Sequence, residues 1–385
     1  MEAARRGKFS YSDGFNSIGR LSDSLYAHYS EQIRSGRFSD SDESAVIGVI
    51  DSVYEPGDEF RDNNSVIGKR DLLTGADNDK TTQHGIHVSQ LISTYSPSAA
   101  FRFYRVTQEA TNGTPAIYQR HLQQAMGYAH VVDDVDLMNI SVGNDHSADN
   151  GAPCAMPNEP CKIRDAARKA IDEGICVVAG AGNIGQMDSI CCPALCDEVI
   201  AVGGSVSKCT ARLSADNAMS LNGRMIKPPL ACWLENDGES TEVLCSGRGC
   251  SIDMSCSEHQ RHVKWEGNVP EGDGKPDVYA PAAALMTSDD ADHGYINWGT
   301  SYATPLVAGA VCEMISGLKD SDVSYSPTVL KREIADNGTE LDDGSGPLLN
   351  GREAIRAVYD HYGLQFNVSP TSGTNLHSPS SFDTN

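Results

Sequence analysis

One stretch near the end of the chain joins a run of small residues to the start of an apolar helix. It covers residues 297–310 and reads NWGTSYATPLVAGA. Apolar residues then recur at spacings of three and four up to Met314, which predicts a helix with one buried face. Pro305 falls in the predicted opening turns, where the missing N–H of a proline costs little. Ser301 is therefore expected at a helix N-terminus, among neighbours too small to block it.

Ser301 has two interpretations at such a position. A serine at a helix start often caps the helix, because its hydroxyl accepts a hydrogen bond from a backbone N–H of the first turn. It could instead be a nucleophile, because the helix dipole and unpaired N–H groups stabilise negative charge that develops on a substrate carbonyl. The position of the serine alone does not separate the two.

The residues around Ser301 resemble the catalytic serine motif of the subtilisin-like serine proteases (subtilases, peptidase family S8). In that family the serine is followed by a small residue, Thr-Pro and a Val-Ala-Gly helix. This chain has Gly299-Thr-Ser301-x-Ala303-Thr-Pro305-x-Val307-Ala-Gly309. The resemblance implies an aspartate and then a histidine upstream, in the order known for subtilisin.

An apolar run at residues 45–51 supplies the aspartate. It reads AVIGVID, and a continuous run of this kind predicts a buried parallel strand. A residue at the carboxyl end of such a strand lies at the edge where α/β sheets bind ligands. By resemblance, Asp51 orients and stabilises the catalytic histidine. The family usually has glycine two residues later, where this chain has Val53, which leaves the shape of the turn open.

Residues 83–92 supply the histidine. They read QHGIHVSQLI, and their apolar positions predict a helix that His84 opens. An imidazole there can act as a general base near neutral pH. The family motif is His-Gly-Thr-His-Val-Ala-Gly, so by resemblance His84 is catalytic and His87 is a packed helix residue. The pair lacks the intervening glutamate or third ligand of a zinc site, and no metal is expected.

Two segments between the histidine and the serine also match the family. Residues 180–183 read GAGN, and by resemblance the Asn183 amide donates to the tetrahedral oxyanion. Ser141-Val142-Gly143 follows a predicted buried strand at 135–140, and subtilases pair this segment with an extended peptide as an added strand. With these segments, the expected substrate-binding residues are Ser141, Val142, Gly143, Ala181, Gly182 and Cys191.

Cys191 is included because of the turn that follows it. Residues 192–196 (CPALC) and the predicted strand at 199–203 match the family's Pro-Ala turn and the strand after it. This alignment places Cys191 near the back of the specificity pocket, where many members have glycine. A side chain there would shorten the pocket, so we expect small or medium residues before the cut.

The chain continues from the histidine helix directly into a predicted strand at 101–106, which is interpreted as the second strand. Many subtilases carry a calcium-binding loop between these two elements, and here there is no room for it. The resemblance therefore implies no cofactor at this point, with a calcium site elsewhere left open. Further helices are expected at 118–130, 163–173, 327–336 and 351–362.

Charge and cysteine content bear on partners and compartment. With 30 basic and 53 acidic residues the formal net charge is −23, which argues against nucleic acid or anionic membrane as a partner. No run approaches the roughly 18 apolar residues that span a bilayer, and no signal-peptide core follows the first residues. A cytoplasmic protein is expected on that basis. Twelve cysteines are many for a reducing compartment, so secretion stays open.

Eight of the twelve cysteines lie between residues 191 and 256. Residues 205–274 are longer than the subtilase pattern requires and are rich in Cys, Gly, Ser and acidic residues. The spacing Cys245-x4-Cys250-x5-Cys256-x2-His259-x2-His262 fits no standard zinc finger, so disulfides or thiols are favoured there. Cys154 and Cys161 could close a small disulfide loop beside the pocket.

These observations predict an α/β fold, a doubly wound parallel sheet of subtilisin type in three layers, with a Cys-rich insertion at about 205–274. The catalytic domain would span 45–365. Residues 1–44 would form an N-terminal extension, either a surface helix or a short inhibitory segment. Residues 366–385 would form a disordered tail, because their Ser, Pro, Thr and Asn content buries little.

By resemblance, the chain is a serine endopeptidase that cleaves a peptide or protein substrate through an acyl-enzyme. Two alternatives remain. A peptide cyclase or transpeptidase would use the same triad, with an amine in place of water. A non-catalytic peptide-binding relative is suggested by the departures at Val53, Ile86 and Gln90. The sequence does not give the oligomeric state.

Overall fold

The computed structural model describes residues 44–53, 55–73, 83–107, 119–143, 161–183, 190–207, 274–287, 294–341 and 344–366, with six short strands between 219 and 264. The predicted N-terminal extension, apart from its last residue Ser44, lies outside these residues. So does the predicted tail from residue 367 onward. The boundaries proposed for the catalytic domain stay predictions.

Seventeen strands and seven helices are described. The strands are β1 (Val46–Asp51), β2 (Ser65–Asp71), β3 (Ala100–Arg105), β4 (Leu137–Ile140), β5 (Cys176–Gly180), β6 (Ile200–Ser207), β7 (Met219–Leu221), β8 (Arg224–Ile226), β9 (Leu230–Asn236), β10 (Thr241–Cys245), β11 (Cys250–Ile252), β12 (His262–Lys264), β13 (Val278–Pro281), β14 (Ala283–Thr287), β15 (Gly294–Trp298), β16 (Thr339–Glu340) and β17 (Pro347–Leu348). The helices are α1 (Asp58–Asn63), α2 (Gln83–Tyr95), α3 (Gln119–Val131), α4 (Lys162–Asp172), α5 (Thr300–Asp320), α6 (Pro327–Asp336) and α7 (Gly351–His361).

Ten strands form the central sheet, in the order β2-β3-β1-β4-β5-β6-β13-β17-β16, with β12 paired to β6. The neighbours from β2 to β17 along this order are parallel. The strand order reverses at β1, which has β3 on one side and β4 on the other. Ligands bind at the carboxyl ends of strands at such a reversal, so the fold places a site next to Asp51.

Side chains of the central parallel strands β1, β3, β4, β5 and β6 contribute to two separate cores, one on each face of the sheet. On β1, Ile47 and Val49 face the core under α2 and α5, whereas Ile50 faces the core under α3 and α4. Because both faces are covered, the strand is apolar up to Asp51. The predicted doubly wound, three-layer α/β architecture is confirmed.

The strand order expected from the sequence omitted β2, the edge strand of the sheet. The strand at 100–105 is the third along the chain and not the second, because β2 precedes it and pairs with it in parallel. Strand β2 reads SVIGKRD and alternates between exposed and half-buried positions. An edge strand of this kind has no continuous apolar run, so its pattern does not stand out.

Residues 205–274 contain strands that the composition did not indicate. Three of them, β9 to β11, join the β14–β15 hairpin in a five-stranded antiparallel sheet, in the order β11-β10-β9-β15-β14. Strand β9 pairs directly with β15, with Leu230 opposite Ile296. The segment therefore forms one sheet with the hairpin that precedes Ser301. Its delimitation as a separate Cys-rich insertion stays a prediction.

The four helices expected from apolar periodicity are confirmed as α3, α4, α6 and α7. Pro305 lies in the second turn of α5, which is further in than the first-turn position where a proline loses nothing. Its ring removes the N–H that would donate to the Ser301 carbonyl. Among the described residues, no helix has the length and apolar character to cross a bilayer.

Candidate active site

Asp51 ends strand β1 with a fully buried side chain. Its Oδ1 accepts from the Ser52 backbone N–H at 2.6 Å and from the Ser52 hydroxyl at 2.9 Å. The same oxygen lies 2.8 Å from Nδ1 of His84. An ionised carboxylate only accepts hydrogen bonds, so Nδ1 is the nitrogen that carries the proton. Nε2 is then the basic nitrogen of the ring.

His84 lies in the first turn of α2, which packs against the turn after β1. The Gly85 N–H donates to the Ser52 hydroxyl at 3.1 Å. A Cβ built on Gly85 would lie 2.6 Å from the Val53 nitrogen and 2.7 Å from the Val53 Cβ, closer than any side chain allows. Val53 is itself buried. The valine that departs from the family pattern is thus accommodated by Gly85, and Asp51 still reaches His84.

His87, the second histidine of the motif, lies one turn further into the helix and is buried. Burial, and next the charge of His84, lower the pKa of His87 to about 3. A group with so low a pKa stays neutral at physiological pH, which fits a packed helix residue. No cluster of three metal-ligating side chains occurs among the residues that the structure describes.

Ser301 is half-buried in the first turn of α5. The N-cap of this helix is Gly299, and no side chain caps it, so the N-cap interpretation of Ser301 is wrong. Gly299 has φ 153°, in a region that favours glycine. The Ser301 hydroxyl donates to the carbonyl oxygen of Ser141 at 2.8 Å. The serine therefore faces the segment that follows β4.

Asn183 follows β5, and the first turn of α5 holds its amide. Its Oδ1 accepts from the Thr300 backbone N–H at 2.8 Å and from the Thr300 hydroxyl at 3.0 Å. A backbone N–H can only donate, which fixes the amide orientation. Nδ2 then points away from Thr300 and lies 3.1 Å from where a Cβ on Gly299 would be. Asn183 is exposed, and its Nδ2 lies beside Gly299, two residues before Ser301.

Three segments that are distant in sequence meet beside Ser301. A Cβ on Gly143 would lie 2.7 Å from the Cβ of Cys191, so the cysteine packs directly on the segment after β4. The Cys191 N–H donates to the Ala181 carbonyl at 2.9 Å. The buried Asn139 amide donates to the Ser141 hydroxyl at 3.0 Å. The structure thus brings together the residues that the sequence assigned to a substrate pocket.

Comparison with known proteins agrees with this geometry. The family model described as "Peptidase_S8: Subtilase family" matches residues 42–351, which is more than half of the chain. The chain belongs to the subtilase family. Subtilases act on peptides and proteins, and the candidate site of this subtilase lies at the carboxyl ends of the parallel strands, where α/β sheets bind ligands.

Two curated relatives match parts of this subtilase. Tripeptidyl-peptidase 2 of Drosophila melanogaster is 44% identical over 161 residues, which cover 34% of this chain and 11% of that protein. Pyrolysin of Pyrococcus furiosus is 35% identical over 74 residues, covering 19% of this chain and 5% of that protein. The matches therefore span only a small part of the length of either relative.

Solved structures share the fold of this subtilase at low identity. A lanthipeptide protease has a TM-score of 0.60 at 18% identity, covering 89% of this chain and 97% of its own. The prenylagaramide maturation protease PagA has a TM-score of 0.55 at 16% identity, covering 86% and 98%. The patellamide maturation protease PatA has a TM-score of 0.53 at 15% identity, covering 84% and 99%.

Sequence reasoning overlooked three residues of the site in this subtilase. Ser52 connects Asp51 to α2, Thr300 holds the Asn183 amide, and Asn139 holds the Ser141 hydroxyl. Ser52 and Thr300 each adjoin a residue of the expected triad, which is the signal that could have identified them. Asn139 is a fully buried amide in an otherwise apolar strand. A polar residue within an apolar strand needs a hydrogen-bond partner, and this could have identified it as part of the site.

Proposed function

We propose that this chain is a serine endopeptidase that cleaves peptide bonds through an acyl-enzyme, with Asp51, His84 and Ser301 as the triad. The observation that carries the proposal is the 2.8 Å contact between Asp51 and His84, at the edge of the sheet where Ser301 lies in the first turn of α5. A carboxylate that holds Nδ1 leaves Nε2 to accept a proton, as a general base requires.

In the proposed first step, the Ser301 hydroxyl turns from the Ser141 carbonyl to His84. Nε2 of His84 takes the hydroxyl proton while Ser301 Oγ forms a bond to the substrate carbonyl carbon. His84 then gives this proton to the leaving amine as the peptide C–N bond breaks. Asp51 stabilises the imidazolium that exists between the two transfers. A water molecule, deprotonated by His84, releases the acyl group and restores Ser301.

The tetrahedral intermediate places a negative charge on the former carbonyl oxygen. We propose that Asn183 Nδ2 and the Ser301 backbone N–H donate to this oxygen. The Thr300 hydrogen bonds support this role because they fix the amide before the substrate arrives. A donor held in place needs no reorganisation when the charge develops, which is the physical basis of oxyanion stabilisation. Every step uses groups of this chain, so we propose that no cofactor takes part.

The substrate-binding segments are proposed to be Ser141-Val142-Gly143 on one side and Ala181-Gly182 on the other. An extended peptide would add to them by main-chain hydrogen bonds. Contact between Cys191 and Gly143 supports a pocket with a filled back. We therefore propose a preference for small or medium residues before the cleaved bond.

An active-site probe tests the proposal. The full chain is treated with a fluorophosphonate, which reacts with activated serines, and its intact mass is measured. A single adduct that is lost in Ser301→Ala supports the proposal. Ser321→Ala is a matched control, since Ser321 follows the other end of α5 and its hydroxyl donates to the Gly317 carbonyl. No adduct on the folded protein would instead favour a non-catalytic relative.

Product mass separates hydrolysis from transfer. Each cleaved peptide bond gains one water in hydrolysis, whereas an added amine appears in the product of a transpeptidase. The assay uses one peptide with and without an excess of amine nucleophile. Products that carry only water support an endopeptidase, and amine-bearing or cyclic products as the main species would replace it with the transpeptidase alternative.

A further inference from the structure

The side chain of Tyr302 lies against the imidazole of His84. The two ring centroids are 5.8 Å apart and the ring planes meet at 62°, an edge-to-face arrangement within the range that aromatic pairs prefer. Tyr302 directly follows Ser301 in the first turn of α5. It is buried in the core under α2 and α5, whereas 32% of the His84 side chain is exposed. The tyrosine ring therefore contacts the imidazole from the side of the core.

The packing of α2 against α5 determines where this ring lies. Gly309 follows Tyr302 by two turns of α5, and residues seven apart lie on the same face of a helix. A Cβ on Gly309 would lie 2.9 Å from the Cβ of Tyr95 at the end of α2, so the two helices are already in close contact there. The position of Tyr302 relative to His84 is thus fixed by two packed helices, which yield little to displacement.

One hydrogen bond does not fix the orientation of an imidazole. The 2.8 Å contact between Nδ1 and Asp51 holds one edge of the His84 ring, and the ring can still tilt about this contact. The Ser301 hydroxyl donates to the Ser141 carbonyl, so in this structure the nucleophile does not hold the ring. The buried ring of Tyr302 restricts the tilt, because it occupies space on the core side of the imidazole.

We propose that Tyr302 is a positioning residue for His84. Its ring keeps the imidazole in the orientation in which Nδ1 reaches Asp51 and Nε2 can accept the proton of Ser301. Because Tyr302 adjoins Ser301 in the chain, one residue sets the position of the proposed base relative to the proposed nucleophile. The kinetic consequence rests on the proposed function, whereas the ring contact is a property of the structure alone.

Proton NMR tests the positioning without requiring proteolytic activity. Full-length Ser301→Ala protein is the parent, and it is compared with the same protein carrying Tyr302→Phe, which keeps the ring, or Tyr302→Leu, which keeps an apolar side chain. The Nδ1 proton shared by His84 and Asp51 gives a low-field resonance, identified with 15N-labelled histidine. We expect the parent resonance to persist in Tyr302→Phe. In Tyr302→Leu it should shift and exchange faster with water, because the imidazole is held less firmly.

Steady-state kinetics on a peptide substrate measures the effect on catalysis, with Ser301 intact. Tyr302→Leu should reduce kcat about two- to tenfold, the size expected for the loss of one aromatic pair. KM should change little, because the tyrosine ring contacts the proposed base. Tyr302→Phe should keep the kcat of the parent. If Tyr302→Leu does not fold, Tyr302→Met, whose flexible side chain fills irregular spaces, takes its place in both measurements.

Tyr95→Leu is the matched control. Tyr95 is a buried tyrosine of the same core and packs on α5 at Gly309, but it lies at the other end of α2 from His84. We expect its loss to leave the low-field resonance and kcat unchanged, with circular dichroism confirming that each variant is folded.

Two results would overturn the positioning role. The first is a parent-like resonance or kcat in Tyr302→Leu, and the second is an equal loss in Tyr302→Phe, which would assign the effect to the hydroxyl. An absence of proteolysis in every protein would overturn the proposed function alone, because the resonance still decides whether Tyr302 positions His84.

Discussion

The hydroxyl of Ser301 donates its hydrogen bond to the backbone carbonyl of Ser141, at 2.8 Å. These residues are separated by 160 positions in the chain, and the contact joins the proposed nucleophile to the proposed substrate-binding segment after β4. The acceptor that holds the serine is a main-chain group of the segment proposed to pair with the substrate. Substrate binding as proposed would therefore also release the hydroxyl of Ser301.

This contact predicts faster labelling by probes that carry a peptide N–H. Such an N–H can donate to the Ser141 carbonyl in place of the Ser301 hydroxyl. The hydroxyl can then donate to His84 instead. A net hydrogen bond is worth about 0.5–1.5 kcal/mol. We therefore expect a peptidyl phosphonate, which forms an Oγ–P bond to Ser301 and loses its leaving group, to react up to about tenfold faster at saturation than its N-methyl analogue. Stopped-flow measurement at saturating probe separates this effect from affinity. Equal saturating rates would contradict the prediction.

Asn183→Ala should reduce turnover with little effect on KM. The amide is held by Thr300 and is proposed to donate only when the oxyanion forms. Loss of such a donor costs about 10²–10³ in kcat. Steady-state kinetics on one peptide gives both constants. Asn337→Ala, whose amide donates to Glu333 at the end of α6, is the control and should keep normal kcat.

Cys191→Gly should widen specificity toward large residues before the cut. Cys191 packs on Gly143, and removing its side chain would deepen the back of the proposed pocket. We expect kcat/KM for Phe relative to Ala to increase about 10- to 200-fold, the usual size of a pocket effect. The measurement uses paired peptides that differ at one position. Cys176→Ala, a buried thiol at the start of β5, should leave the ratio unchanged.

The buried His87 predicts a loss of stability in acid. Its folded-state pKa of about 3 lies below the unfolded value of about 6.5, so the unfolded chain binds the proton first. Above pH about 6.5 neither state is protonated and the histidine has no effect. Between pH about 6.5 and 3 the free energy of unfolding should fall by up to about 1.4 kcal/mol per pH unit from this residue.

Denaturant unfolding of His87→Gln across this pH range checks the sign. Glutamine keeps a polar group in the helix but cannot take up the proton, so the variant should lose stability less steeply as the pH falls. The comparison concerns the slope of unfolding free energy against pH. It therefore stays valid if the variant is less stable by the same amount at every pH. If the stability of the variant falls with pH as steeply as that of the parent, the titrating group is not His87.

Sequence motifs were enough to predict most residues of this candidate site, because each motif is a short-range pattern. The run that ends in Asp51 and the helix that contains His84 each follow from local sequence, and family order placed Asn183 and Ser301. Contacts between segments distant in sequence could not be predicted from such patterns. Thr300 holds Asn183 across 117 positions, and no local pattern encodes such a pair. Strand β2 was missed for a different reason, since a half-exposed edge strand has no apolar run.

Residues 205–274 show the same limit. The strands of residues 205–274 were invisible to composition, which detected only cysteines, glycines and acidic residues. The pairing of Leu230 with Ile296 is a main-chain contact and depends little on side-chain type. Sequence patterns therefore described the parallel sheet, whose strands are buried on both faces, better than the antiparallel sheet attached to it.

The contact between Gly85 and Val53 limits how this site can change in evolution. Because the closest atom to a Cβ at position 85 is the main-chain nitrogen of Val53, no substitution at position 53 would make room for a side chain at position 85. Substitution is therefore possible at position 53 but not at position 85. Relatives that share this backbone can exchange the valine for glycine or a small residue, while the glycine beside the histidine has no neighbour whose change would release it.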